Sequence, residues 1–188
     1  EKDLAYAQKT LVGMCSGTTH VTIDLVKKAL GSDHELVQSD HAFTVLPFKF
    51  VHGTIAAIME ETGFGAGLFE EHEGNFETLR TTEWARRESF SRLNQLVWRT
   101  LDIHNNKKMR GMRRRTFGSI DSINASFNES DLFHHTLSTE EQIEVRRLIQ
   151  YFAVAAVSVP SNNAAEVVRK VLKQAPKVDG DGPKGKAV

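Results

Sequence analysis

The sequence has few cysteines, long apolar runs or export signals, and each shortage argues against a class of protein. It has one cysteine, Cys15, so no internal disulfide can form, which favours a reducing compartment. Its longest apolar run, Tyr151 to Val159, is about half as long as a membrane span requires. The chain does not open on a charged leader followed by an apolar stretch, so we expect no signal peptide. The glycosylation sequons at Asn124 and Asn128 are then interpreted as chance matches.

Motifs of catalysis and of metal binding are also scarce. None of the eight histidines lies in a metalloprotease helix motif, and the adjacent His134 and His135 would point about 100° apart on a helix. The glycine-rich stretch 63–67 lacks the lysine and hydroxyl residue of a phosphate-binding loop. Cys15 lies in an apolar helical pattern, which favours a buried thiol over a nucleophile. The sequence therefore predicts no enzyme, no catalytic residue, no metal site and no cofactor.

The pattern that is present is helical. Hydrophobic residues make up 40% of the chain, and they recur at helical spacing almost throughout. The best strand candidate, residues 42–46, fits a helical turn equally well. Ser138-Thr139-Glu140-Glu141 is a capping box, and it predicts a helix reaching Val159. The middle of that helix is apolar nearly all round, so we expect it at the centre of a bundle.

Other local signals give further helix boundaries. Gly31 and Gly63 are predicted helix ends, and Pro47 is a predicted first-turn residue. Thr82 is expected to cap a long helix that carries Trp84 and Phe90 on its inward face.

These elements predict an all-α protein made of two small helical-bundle subdomains joined by a basic connector. The predicted boundaries are an N-terminal helical domain at 1–104, the connector at 105–117 and a C-terminal helical domain at 118–175. The tail at 176–188 is rich in glycine, proline, aspartate and lysine, so we expect it to be disordered.

The basic run at 105–117 is the most informative feature of the chain. It holds six of the 24 lysines and arginines and no acid, although the whole chain has a formal charge of zero. Charge of this density suits contact with phosphate backbone, anionic lipid or an acidic protein surface. Only Phe117 is near enough to stack on a base, which favours backbone or headgroup contact over sequence reading. A nuclear import signal and a solvated helix face are the alternatives. The predicted contact residues are Lys107, Lys108, Arg110, Arg113, Arg114 and Arg115.

Charge is also sorted along the chain. Glu60 to Glu77 contains six acids and no base, whereas Arg80 to Arg115 contains eleven bases and three acids. These blocks could attract copies of the chain head to tail, or they could neutralise each other within one fold. Histidines that protonate between about pH 5 and 7 could loosen such contacts, or they could be ordinary surface residues. A possible additional basic face comprises Arg86, Arg87, Arg92 and Arg99.

One stretch resembles a known family. Residues 111–117, Gly-Met-Arg-Arg-Arg-Thr-Phe, are similar to the Gly-x-x-Arg-Arg-Arg-Phe stretch in the matrix proteins of influenza-type viruses, with the spacing shifted by one. Tyr151 to Val159 is similar to that family's alanine-rich core helix, and the short chain is closest in kind to the family's isavirus branch. The resemblance implies a viral structural protein that packs side by side beneath the envelope. It would contact anionic membrane lipid and viral ribonucleoprotein or RNA, with Arg113, Arg114 and Arg115 as the contact and import residues.

The family resemblance also implies a location at the inner face of the viral envelope or host membrane, with access to cytoplasm and nucleus, and no small-molecule substrate. The competing interpretation is a helical nucleic-acid-binding nucleoprotein or packaging factor. A cellular helical adaptor without an anionic partner is the third.

Overall fold

The computed structural model describes residues 10, 12–70, 72–101, 137–158 and 161–173, the side chains of 161–163 excepted. These residues are helical and include no strand, which confirms the predicted all-α class. The helices are α1 (Thr19–Leu30), a 3₁₀ helix (Glu35–Gln38), α2 (Asp40–Val45), α3 (Phe48–Thr62), α4 (Phe76–Thr81), α5 (Glu83–Thr100), α6 (Thr139–Ser158) and α7 (Ser161–Leu172).

Several helices end or begin where the local signals predict. Helix α1 stops at Gly31, with φ of 87°, and α3 stops at Gly63, with φ of 68°. Glycine takes these left-handed angles without the steric cost of a Cβ atom. Pro47 stands immediately before α3 as its N-cap residue. The strand candidate at 42–46 lies mostly within α2, so the helical alternative is the one adopted.

The capping box forms as predicted at the start of α6. The Glu141 amide donates to Ser138 Oγ at 3.3 Å, and the Ser138 amide donates to Glu141 Oε2 at 2.7 Å. Two amides that the helix leaves without an internal partner are thereby satisfied. At the start of α5, Thr82 is the N-cap residue, but its side chain makes no capping hydrogen bond.

Helix α5 turns the predicted face inward except at its first turn. Phe90 is buried as expected, whereas Trp84 is 56% exposed, so the prediction that it points inward is wrong. The two residues are six positions apart, which is about 240° around a helix. The buried stripe continues from Phe90 through Leu93 and Val97 at the ordinary helical spacing.

Helix α6 is the centre of the bundle, as its apolar composition predicts. It packs against α1, α3 and α5. Residues 151–155 are completely buried, and the ring of Phe152 meets Phe64 edge-on with centroids 5.2 Å apart.

The division into two subdomains is not confirmed. Helix α6 follows the basic run in sequence, yet it packs against α1 and α3, which precede it. Helix α7 packs against α5, and the buried apolar residues form one cluster. The described helices on both sides of the basic run therefore share a core. The predicted connector at 105–117 and the predicted disordered tail at 176–188 lie outside the described residues.

Buried polar side chains fasten α6 to the segment before α1. Arg146 Nε donates to the Gly17 carbonyl at 2.8 Å, and its Nη1 donates to the Phe43 carbonyl at 3.2 Å. Gln150 Oε1 accepts from the Gly17 amide at 2.9 Å, and its Nε2 donates to Thr22 Oγ1 at 2.8 Å. The backbone of Gly17 lies so close to α6 that a Cβ there would stand 2.7 Å from Ile143 Cγ2. These contacts fix where α6 sits along α1.

Candidate functional site

The predicted contact residues of the basic run, from Lys107 to Arg115, all lie outside the described residues. The core is nevertheless described on both sides of them. Leu101 and Leu137, the nearest described residues on either side, are 7% and 4% exposed and belong to the same apolar cluster. The residues described immediately before and after the segment that carries the six cations thus belong to one core.

The additional basic face is wrong for two of its four arginines. Arg86 is 1% exposed and Arg92 is 8% exposed, so neither can present its charge to a flat external surface. Arg86 Nη1 donates to the carbonyls of Leu79 and Arg80 at 2.9 and 2.8 Å. Those carbonyls belong to the last turn of α4, where a cation favourably satisfies free acceptors. Arg86 therefore joins α4 to α5.

Arg92 is the centre of a three-residue ion network. Its Nη1 lies 2.8 Å from Glu73 Oε2, and its Nε lies 3.0 Å from Glu88 Oε1. Burial is the largest single influence on Glu73 and raises its pKa, but the hydrogen bonds from Arg92 and from the Glu70 amide, together with nearby positive charge, outweigh it and leave that pKa below the ordinary 4.5. Glu73 belongs to the acidic block and Arg92 to the basic block. At this pair, the two blocks neutralise each other within one fold.

The other two arginines of the predicted face remain nearer the surface. Arg87 is exposed and Arg99 is half-buried. Sequence periodicity placed all four on one outer face, but the loop before α4 and the end of α4 cover Arg92 and Arg86. Only the tertiary arrangement distinguishes the two pairs.

Among the described residues, the candidate nucleophile is buried and the candidate metal ligands do not cluster. Cys15 is 4% exposed, which confirms the predicted burial, and burial raises the pKa of its thiol to about 12. A thiol with this pKa stays protonated at neutral pH, whereas the thiolate is the reactive form. In the part of the chain that the structure describes, no three His, Cys, Asp or Glu residues could together hold a metal ion. No described helix is long and apolar enough to cross a bilayer.

A cavity that the sequence did not reveal lies between α3 and α5. It has a volume of about 430 Å³, and we call it the α3–α5 slot. Val51 and Ile55 line it from α3, and Phe90 and Leu93 line it from α5. The side chains of Phe48 and Phe90 meet with ring centroids 6.4 Å apart. Its walls are the buried stripes of two amphipathic helices, which read in sequence as ordinary core positions.

The turn at 69–74 lies beside the slot and is held in place by side-chain hydrogen bonds. His52 Nε2 on α3 lies 2.8 Å from the Gly74 carbonyl. The Glu70 amide donates to Glu73 Oε2 at 3.1 Å, and the same carboxylate bonds Arg92 on α5. The turn is thus anchored to both helices that form the walls, and it brings Phe69 and Glu70 to the slot.

Comparisons with protein-family models, with curated proteins and with solved structures find no match to this chain. The resemblance to viral matrix proteins therefore rests on the stretches at 111–117 and 151–159. Function has to be argued from charge and geometry.

Proposed function

We propose that this protein is a matrix-type structural protein, like those of influenza-type viruses, that assembles beneath a lipid envelope. In this proposal it contacts anionic membrane lipid and ribonucleoprotein through a basic surface that includes the basic run. It acts by binding and packing, and it catalyses no reaction.

The observation that carries the proposal is the concentration of six cations within residues 107–115, without an acid. Each lysine or arginine near an anionic membrane contributes on the order of 1 kcal/mol, so such a run supports peripheral attachment without a spanning helix. The burial of Arg86 and Arg92 focuses the proposal on the run itself, because these two charges are already used within the fold.

Self-assembly needs a surface of opposite charge on a neighbouring copy. Glu60, Glu61 and Glu70 are exposed in the acidic block, unlike Glu73, which is held by Arg92. A contact between these acids and the basic run of a second copy would be heterologous, and contacts of that kind build open arrays. Exposed charge pairs are screened over about 8 Å at physiological salt, so the assembly should dissolve as salt increases.

The test is flotation with vesicles containing phosphatidylserine, and the variant is Arg113→Ala, Arg114→Ala and Arg115→Ala combined. We expect roughly a hundredfold weaker binding at low salt, from three contributions of about 1 kcal/mol each. The matched control replaces Lys27, Lys28 and Lys173, three exposed lysines of α1 and the end of α7. It removes the same net charge elsewhere and should bind much more like the wild type.

A parallel titration with single-stranded RNA separates the two proposed roles. Tight RNA binding with no affinity for anionic vesicles would favour the nucleoprotein or packaging alternative. Equal membrane binding by the wild type, the triple variant and the control would show that the basic run does not contribute to membrane binding. Sedimentation of the vesicle-bound protein across a salt series reads out assembly in the same samples.

A further inference from the structure

The α3–α5 slot has the proportions of a site for an elongated ligand. Its wall on α3 runs from Phe48 to Glu60, twelve positions and therefore about 18 Å along the helix. A volume of about 430 Å³ lies within the range of small-molecule sites, which are typically about 300–1,000 Å³ and mostly apolar. Phe69 adds a further aromatic surface from the turn at 69–74.

The wall of the slot on α5 also carries polar side chains. Ser89 lines the slot and is 7% exposed. Arg86 lines the same wall, but its Nη1 is committed to the carbonyls that end α4.

The accessible rim of the slot is acidic. Ala56 and Glu60 are exposed residues of α3 that line it, one helical turn apart, and Glu70 is an exposed residue of the turn at 69–74. Among the described residues that line the slot, the buried Arg86 is the one lysine or arginine. A ligand whose apolar end occupies the slot would therefore leave its other end beside two carboxylates.

We propose that the α3–α5 slot binds a single alkyl chain that carries a cationic nitrogen headgroup. The chain lies between α3 and α5, and the headgroup sits at the rim beside Glu60 and Glu70. Charge complementarity selects a cationic head over an anionic one, and the apolar walls select a chain over a compact polar solute. This inference does not depend on the basic run or on the proposed matrix function.

The first experiment compares soluble ligands that share one chain. Octyltrimethylammonium, octanoate and octanol are titrated into the full chain by calorimetry, with circular dichroism as a check that helicity is kept. We expect the ammonium compound to bind tightest and octanoate weakest. Replacing octyl by decyl should strengthen binding about fourfold for each added methylene that becomes buried. Lysophosphatidylcholine is titrated next, to test whether a zwitterionic lipid with a cationic nitrogen also binds. Binding of this lipid or of the ammonium compound supports the site.

Two pairs of variants locate the ligand. Ala56→Phe should fill the mouth of the slot and abolish binding, whereas Ala165→Phe, at an exposed alanine of α7, should bind like the wild type. Glu60→Gln should weaken the ammonium compound about two- to fivefold and leave octanol unchanged, as expected for an exposed charge pair. Glu61→Gln, at the neighbouring exposed acid outside the slot, is its control.

Three results would overturn the inference. Octanoate binding as tightly as the ammonium compound would show that the rim does not select a cation. Unchanged binding by Ala56→Phe would place the ligand elsewhere. Affinity that does not grow from octyl to decyl would show that the chain does not enter the slot. Ala56 and Ala165 are both exposed, so replacing either with phenylalanine is not expected to unfold the protein and obscure the comparison.

Discussion

The two sides of the helical bundle differ in how completely their helices pack together. On one side, α6 packs on α1, and Arg146 and Gln150 bridge the buried gap to the main chain at Gly17 and Thr18. On the other side, α3 and α5 both pack on α6, yet a cavity of about 430 Å³ remains between them. We call these the closed side and the open side.

The two sides also treat buried arginines differently. On the closed side, Arg146 is held by main-chain carbonyls, at Gly17, Phe43 and Thr44. On the open side, Arg92 is held by two carboxylates, Glu73 and Glu88. Main-chain carbonyls do not titrate, whereas the carboxylate of Glu73 loses its charge when it is protonated. The contacts of Arg146 with carbonyls are therefore independent of pH, whereas the ion pair between Arg92 and Glu73 depends on it.

The largest effect is expected from Phe152→Ala in α6, the helix on which both sides pack. Phe152 is completely buried in α6, so its loss should lower the free energy of unfolding by about 3–5 kcal/mol. Chemical denaturation measures it, with Val157→Ala, at a 39% exposed position of the same helix, as the control. If both variants unfold at the same denaturant concentration, α6 is not the centre of the core.

A smaller loss in the free energy of unfolding is expected from Gln150→Leu. Leucine fills a similar volume but cannot make the hydrogen bonds that bridge to Gly17. The Gly17 amide would lose its partner, at a cost of about 1–3 kcal/mol, whereas the Thr22 hydroxyl would keep its hydrogen bond to the Thr18 carbonyl. Gln95→Leu is the control, because Gln95 is half-buried and, among the described residues, bonds the nearby Ser91 alone. Equal stability of the two variants would mean that the polar bridge does not distinguish the closed side.

The smallest effect is expected from Glu73→Gln, and it should depend on pH. The folded pKa of Glu73 lies below 4.5, so the ionised carboxylate stabilises the fold fully above pH 4.5. That contribution is lost as pH falls below 4.5 and through the lower folded pKa. The variant should therefore melt at a lower temperature than the wild type at neutral pH, with the difference disappearing in acid. Glu61→Gln, at an exposed acid, should show no such pattern, and a difference that persists in acid would contradict the ionic origin.

Local signals in the sequence were sufficient for much of the helix framework. The capping box at Ser138, the stop at Gly31 and the apolar middle of α6 were predicted, and the structure has each of them. These features depend on residues a few positions apart, whose geometry a helix fixes. Chain order was a poorer guide to grouping, because residues on both sides of the basic run share one core.

The candidate sites divide in the same way. The basic run could be found from sequence, since a local excess of charge needs no partner to be recognised. The distinction between Arg87 and Arg92 could not, because both lie on the same amphipathic helix and only the covering turn at 69–74 decides which is buried. The slot could not be found from the sequence either. The apolar face of a helix has the same sequence pattern whether a neighbouring helix packs against it or leaves a cavity beside it.

The sequence by itself determined the helical class, several helix ends and the place where positive charge concentrates. Each follows from short-range steric or electrostatic rules that act along the chain. The tertiary structure alone decided that α6 lies against α1, that Arg86 and Arg92 act internally, and that a cavity with an acidic rim separates α3 from α5. Those outcomes depend on how distant faces pack around one core, and periodicity along a helix does not specify which distant face each one meets.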